Sequence, residues 1–232
     1  MSRRSTRSKR GLLWALAVVV IVGGLAAVAY FTPLMSVRSI EVTGTREVST
    51  DQILSAAAIP KGAPLLQVDT APAARRVAAI ADVAQVRIQR SYPSKIVITV
   101  TEREPVVRVV TDTQIQVLDK TGVAYRHYDK SITLPPEISK LPSFSTPNPG
   151  PTDPTTKAVL PVIADLPAFV ADQLLEVHAS SPVDIQFVLR GNKTVVWGDS
   201  DRTADKAEAL RLVMTQRASS YNVSSPESPA YK

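Results

Sequence analysis

The longest apolar stretch of the chain lies near its N-terminus. Residues 11–31, GLLWALAVVVIVGGLAAVAYF, contain no charged side chain. As a helix this stretch would reach about 30 Å, which matches the hydrocarbon core of a bilayer, so it predicts a transmembrane helix. A cleaved signal peptide is the alternative interpretation, because Ala27-Val28-Ala29 has the small-x-small form of a cleavage site.

Behind the apolar stretch, the spacing of apolar residues predicts a small α+β domain. Its order is β-α-α-β-β, and its elements lie in VRSIEVTG, STDQILSAAA, a helix that begins at Asp69 or Thr70, VAQVRIQR and KIVITVT. The last strand alternates, so Ile96, Ile98 and Val100 are predicted to face the core. Tyr92-Pro93 supplies the turn before it.

The end of this domain carries a family resemblance. The segment RSYPSKIVITVTEREPVV has a basic residue, an aromatic-proline turn, an alternating strand and a Glu-Arg-x-Pro step. This pattern resembles the end of the POTRA domain in the FtsQ/DivIB family of bacterial cell-division proteins. The matching residues are Arg90, Tyr92, Pro93, Glu102, Arg103 and Pro105. Tyr92 departs from the pattern, since the family more often has tryptophan there, but the ring and the turn are kept.

Later motifs extend the resemblance over nearly the whole chain. They are VLDKTGVAY at 117–125, LPSF at 141–144, a strand pair around Gly191-Asn192, the helix DKAEALRLVM with Lys206, and YNVSSPESP at 221–229, which resembles the family's closing strand and the exit after it. Between them, 143–156 is rich in proline and predicts an irregular loop, while 158–175 has helical spacing. The resemblance implies a β-rich second domain.

The predicted organisation therefore has five parts. They are a basic cytoplasmic tail (1–10), a transmembrane helix (11–31), a POTRA domain (35–103), an FtsQ-type β domain (104–225) and a C-terminal tail (226–232). Five basic residues and no acid precede the apolar stretch, which places the N-terminus in the cytoplasm and the bulk of the chain outside it.

Charge and composition exclude several functions. The net charge is +6, but five of the 27 basic residues lie within residues 1–10, so the rest of the chain is nearly neutral. A nucleic-acid-binding face would spread its basic residues over the folded surface. The chain has no cysteine, which rules out disulfides and thiolate metal sites.

Candidate chemistry is sparse. His127 and His178 are far apart in sequence, and neither has a second ligand at metal-binding spacing. HASSPVD, at 178–184, collects serine, histidine and aspartate but reads as a turn, and no Gly-x-Ser-x-Gly elbow is present. The acid pairs Glu102/Glu104 and Asp199/Asp201 carry no signal of burial. We expect no catalytic, cofactor or metal site, and no small-molecule substrate.

The resemblance implies a non-enzymatic divisome scaffold in the bacterial cell membrane, concentrated at the septum. It would recruit and hold FtsL- and FtsB (DivIC)-type single-span partners and help control septal peptidoglycan synthesis. A POTRA-containing secretion or outer-membrane assembly component is the alternative. The resemblance implies that the partner binds at the closing strand and the helix before it. The residues concerned are Tyr221, Asn222, Val223, Ser224 and Lys206.

Overall fold

A computed structural model describes residues 14–24 and 35–232, and the chain divides into two compact units between Glu102 and Arg103. Helix α1 covers residues 14–24, and its side chains are exposed. Across the described ranges, none of the helices combines the length and apolarity needed to cross a bilayer. The predicted basic tail, and residues 11–13 and 25–31 of the predicted transmembrane helix, lie outside those ranges.

The first unit has the predicted β-α-α-β-β order. Its elements are β1 Ser39–Thr43, α2 Thr50–Ala57, a 3-10 turn Leu65–Gln67, α3 Thr70–Ala78, β2 Val83–Ser91 and β3 Lys95–Glu102. The sheet order is β1-β3-β2, with β1 parallel and β2 antiparallel to the central β3. The turn between β2 and β3 contains a cis Tyr92-Pro93 peptide bond.

Local side chains explain where the helices of this unit begin. The Ser49 hydroxyl accepts a hydrogen bond from the Gln52 amide at 3.2 Å, and the Asp69 carboxylate accepts one from the Ala71 amide at 3.2 Å. Each cap satisfies an amide that has no partner inside its helix. The predicted inward face of β3 is confirmed, because Ile96 and Ile98 are fully buried and Val100 is 2% exposed.

The second unit is β-rich. Its elements are β4 Pro105–Val110, β5 Gln114–Asp119, β6 Ala124–Asp129, α4 Pro136–Ser139, β7 Ser143–Ser145, α5 Pro154–Asp165, α6 Ala168–Ala171, β8 Leu174–Ser181, β9 Asp184–Leu189, β10 Lys193–Gly198, α7 Thr203–Val213, β11 Ser220–Asn222 and β12 Ala230–Tyr231. They form one sheet in the order β12-β11-β10-β9-β8-β7-β4-β5-β6. Side chains of α5 and α7 join those of the sheet in one core around the fully buried Trp197.

Several predicted features of this unit are confirmed. The strands around Gly191-Asn192 are β9 and β10, and both turn residues have positive φ. The predicted hairpin at 117–125 is the β5–β6 turn. At Gly122 (φ +81°) a Cβ would lie 2.9 Å from Thr156 Cγ2, so the turn packs closely on the first residues of α5.

The sequence interpretation of 143–175 is wrong at three points. The loop predicted at 143–156 begins with strand β7 and ends inside α5, whose first turn Asp153 caps through the Thr156 amide at 2.7 Å. The helical spacing predicted over 158–175 ends too late, because Leu174 already belongs to β8. A short apolar run can occur in either kind of element, and pairing with β9 decides for the strand.

Candidate partner-binding edge and supporting clusters

The four strand residues predicted to bind a partner lie beside the edge of the large sheet. β11 is its second strand, parallel to β10 on one side and antiparallel to β12 on the other. Tyr221 and Val223 are fully buried, Asn222 is exposed and Ser224 is half-buried. The Tyr221 hydroxyl donates to Gln216 O at 2.9 Å and Ala218 O at 3.1 Å, so its side chain belongs to the core.

β12 covers the outer side of β11. Tyr231 lies opposite Tyr221, and Ala230 lies opposite Asn222. The amide of Lys232 donates to Ser220 O at 2.9 Å, and the Ser220 amide donates back to Lys232 O at 3.0 Å. In the part of the chain that the structure describes, β12 is therefore the terminal strand at this end of the sheet, and its Tyr231 side chain is 55% exposed.

The connection between β11 and β12 is held by polar contacts. The Asn222 side-chain oxygen accepts from the Ser224 amide at 3.0 Å and from the Ser224 hydroxyl at 2.8 Å. Arg202, which precedes α7, forms ion pairs with Asp205 and Glu227. The hydrogen bond from Arg202 lowers the pKa of Glu227 from its ordinary value. These contacts tie the segment that leads into β12 to the first turn of α7.

Lys206, in α7, is only 2% exposed. Its Nζ donates to Asp199 O at 3.0 Å and also pairs with the Asp199 carboxylate, and this hydrogen bond lowers the pKa of Asp199. At the neighbouring Gly198 (φ +83°), a Cβ would approach Ser224 Cβ to 2.9 Å. Lys206 therefore stabilises the turn between β10 and α7, beside the end of β11.

A second polar cluster explains Glu102, the last residue of β3. Its carboxylate accepts hydrogen bonds from the amides of Arg46 at 2.7 Å, Glu47 at 3.0 Å and Val48 at 3.0 Å. Burial would raise the pKa of Glu102, but these amides lower it more, so the net direction is downward. The glutamate thus closes the loop before α2 onto the end of the sheet.

The next residue, Arg103, makes an equivalent contact inside the second unit. Its guanidinium pairs with Asp119, whose side chain is 3% exposed. The Asp119 carboxylate also accepts from the Thr121 amide at 2.8 Å and the Val123 amide at 3.1 Å. Burial raises the pKa of Asp119, and the bonds from Thr121, Arg103 and Val123 together lower it below its ordinary value. Consecutive residues of the Glu-Arg step therefore stabilise different units.

The residue types that suggested hydrolytic chemistry do not assemble into a triad. His178 Nε2 lies 3.0 Å from Glu176 Oε2, whereas the Ser180 hydroxyl donates to Asp184 at 2.5 Å. A serine nucleophile needs its hydroxyl bonded to the histidine. Within residues 14–24 and 35–232, histidines and acids do not gather in any group of three that could hold a metal ion.

Glu102→Gln is expected to destabilise the first unit by about 1 kcal/mol at pH 7, because three amides then lose a charged acceptor. The folded-state pKa of Glu102 is lowered, so its contribution is complete above the unfolded pKa of about 4.3 and is lost as the pH falls. Denaturation of the full chain at pH 7 and pH 3 checks this, since the difference from wild type should shrink at pH 3.

Glu41→Gln is the matched control for this prediction. Glu41 pairs with Lys95 in the same sheet, but the two side chains are 51% and 44% exposed. Exposed pairs contribute little, so we expect a change below about 0.5 kcal/mol at either pH. A Glu102→Gln penalty that stays constant down to pH 3 would contradict the assigned role of the carboxylate.

Comparison with known proteins agrees with this architecture. The family described as "POTRA domain, FtsQ-type" matches residues 35–103, and "Cell division protein FtsQ/DivIB, C-terminal" matches residues 107–225. The cell division protein FtsQ of Mycolicibacterium smegmatis is 41% identical over 230 residues, which are 99% of this chain and 67% of that protein.

Two further relatives carry the same name. FtsQ of Mycobacterium tuberculosis is 41% identical over 231 residues, covering 100% of this chain and 71% of the relative. FtsQ of Corynebacterium glutamicum is 31% identical over 209 residues, covering 90% and 92%. The two domain matches and the similarity along the whole chain together show that the chain belongs to the FtsQ/DivIB family of cell-division proteins.

Proposed function

We propose that the chain is a non-enzymatic scaffold of the division machinery, anchored in the cell membrane at the septum. It recruits and holds FtsL- and FtsB (DivIC)-type single-span partners and thereby helps to control septal peptidoglycan synthesis. Membership of the FtsQ/DivIB family supports the division role. The apolar residues 11–31 and the basic residues before them support the membrane anchor.

The observation that carries the partner proposal is the edge formed by β12. A terminal strand presents backbone amides and carbonyls that a further strand can bind. Lys232 and Ser220 form a hydrogen-bonded pair, in which each backbone amide donates to the carbonyl of the other residue. In an antiparallel ladder, such residues alternate with residues whose amide and carbonyl point away from the paired strand. The Tyr231 amide and carbonyl therefore point away from β11, toward an added strand.

We accordingly place the partner on β12. A segment that paired directly with Tyr221–Ser224 would first have to displace β12 and break the bonds between Ser220 and Lys232. Adding a strand to β12 leaves those bonds intact. In this arrangement Tyr221 and Val223 position the edge from the core, and the exposed ring of Tyr231 packs against the partner.

Tyr231→Pro should abolish co-purification of the FtsB-type partner with the tagged full chain, because proline lacks the outward amide. The thermal transition should stay close to that of wild type, since the bonds between β11 and β12 remain. Tyr231→Ala keeps the amide and removes the ring, so it should weaken binding without abolishing it.

Val223→Pro is the folding control. The Val223 amide donates to Val196 O at 2.9 Å and its side chain is fully buried, so this variant should destabilise the second unit. Undiminished partner recovery with Tyr231→Pro would place the partner on another surface.

Depletion of the protein should produce filamentous cells with unfinished septa, whereas loss of outer-surface proteins would favour the secretion alternative.

A further inference from the structure

A cleft in the second unit carries an unusual set of charges. It encloses about 660 Å³ where β8 begins, beside the ends of α4 and α6. Its lining includes three cations, Arg108, Lys140 and Arg190, together with Asp172 and Glu176. Leu141 and Leu175 contribute apolar surface, whereas Leu174, also in the lining, is only 6% exposed. The lining thus combines a net charge of +1 with an apolar wall.

The scaffold around the cleft is held in place by hydrogen bonds. Arg108 Nε donates to Leu141 O at 3.1 Å, which orients the guanidinium against the chain segment that enters β7. The Arg108 amide donates to Pro142 O at 3.0 Å, and the Arg190 amide donates to Gln173 O at 2.8 Å. The two arginines therefore project from fixed backbone positions.

Neither carboxylate of the lining forms an ion pair with these cations. Glu176 bonds His178 at 3.0 Å. Among the ion pairs within the described ranges, none joins Arg108, Lys140 or Arg190 to a carboxylate. Cations on a surface commonly sit near acids in sequence or space, and here the acids are present without pairing. The three cations can therefore bind an anionic group of a ligand.

We propose that this cleft binds a glutamate or aspartate side chain of an extended partner peptide, with apolar residues on either side of it. One carboxylate balances the excess positive charge of the lining. A phosphate carries about −1.5 to −2 charges at pH 7, which is more than the net charge of +1 of the lining balances. Leu141 and Leu175 accept the flanking apolar side chains, which a free anion does not have.

This surface goes beyond the edge described above. Strands β9 and β10 separate β8 from β11 in the sheet, so a partner on β12 and a peptide in the cleft use different parts of the unit. A single partner that engaged both places would gain affinity through the raised effective concentration of its second segment. The cleft can be tested independently of the FtsB-type partner.

The test uses the full-length chain in detergent and fluorescent, terminally blocked pentapeptides. Each peptide has a central glutamate flanked by a pair chosen from leucine, valine and phenylalanine, and each has a twin with glutamine in place of glutamate. Fluorescence anisotropy should show at least one glutamate peptide binding about tenfold more tightly than its twin, because a charge-assisted hydrogen bond is lost in the twin.

Two variants and one control locate the binding. Arg190→Ala and Lys140→Ala should each weaken the glutamate peptide by about tenfold, since both cations are exposed and make no side-chain hydrogen bond within the described ranges. Arg217→Ala, an exposed cation outside the cleft, should leave binding unchanged. Inorganic phosphate should compete only weakly.

Each of three results would overturn the proposal. The first is equal affinity for every glutamate peptide and its glutamine twin, including no binding of either. The second is wild-type affinity in both cleft variants. The third is cleft-dependent binding of inorganic phosphate that is tighter than binding of the peptides, which would assign the site to a phosphate ligand.

Discussion

Gly44→Ala is expected to lower the free energy of unfolding of the first unit by about 2–5 kcal/mol. Gly44 follows β1 and has φ +86°, a left-handed conformation that costs a residue with a Cβ about 1–2 kcal/mol. A Cβ there would also lie 2.1 Å from Val100 O. That oxygen belongs to the backbone of β3, which is paired on both sides and cannot move without disturbing the sheet.

Gly62→Ala separates the two causes. Gly62 has the same φ of +86°, but a Cβ at this position would meet no atom within 4 Å. It should therefore cost only about 1–2 kcal/mol. Denaturant unfolding of the full chain, resolved into two transitions if the units unfold separately, measures both. Equal losses for the two variants would show that β3 accommodates the added methyl group.

Trp197→Ala is expected to destabilise the second unit by about 3–5 kcal/mol. Trp197 in β10 has the largest volume among the fully buried side chains of the described residues. Its ring centroid lies 5.1 Å from that of Phe187 in β9. Its removal would leave a cavity among residues contributed by both helices and sheet, which cannot close without shifting the strands. The denaturation midpoint of the second unit measures the effect, and the first unit should be unchanged.

Trp197→Phe is the matched variant. The indole Nε1 of Trp197 is buried and has no protein hydrogen-bond partner within the described residues. Phenylalanine removes this unpartnered donor and keeps most of the ring volume. The loss should be less than half of that seen for alanine. A loss as large as that of Trp197→Ala would mean that the indole N–H makes a stabilising bond.

Much of the fold followed from local sequence pattern. Two-residue alternation predicted the inward face of β3, because side chains of a strand point alternately to opposite faces. Ser49 and Asp69 stand at positions where helix amides lack partners, and both are caps. The Gly191-Asn192 pair predicted a turn because both residues tolerate positive φ. These signals depend only on near neighbours in sequence.

The candidate binding edge could be predicted only in part. The closing strand at Tyr221 was predicted from family resemblance, but β12 was not, since two residues are too short for any period. The family resemblance placed Lys206 among the partner-binding residues, yet it is buried against Asp199. Its burial depends on where α7 packs, which no window of sequence contains. The cleft cations Arg108 and Arg190 lie 82 positions apart and carry no shared motif.

The sequence by itself determined the type of most elements, the N-terminal caps of α2 and α3, and the inward-facing residues of β3. Only the tertiary structure decided which strand closes the sheet, where β8 begins, and that Glu102 binds amides 54 to 56 residues earlier. The physical reason is the range of the interactions. Periodicity and capping act within a few residues, whereas strand pairing, burial of a charge and assembly of a cleft join segments whose proximity exists only in the folded chain.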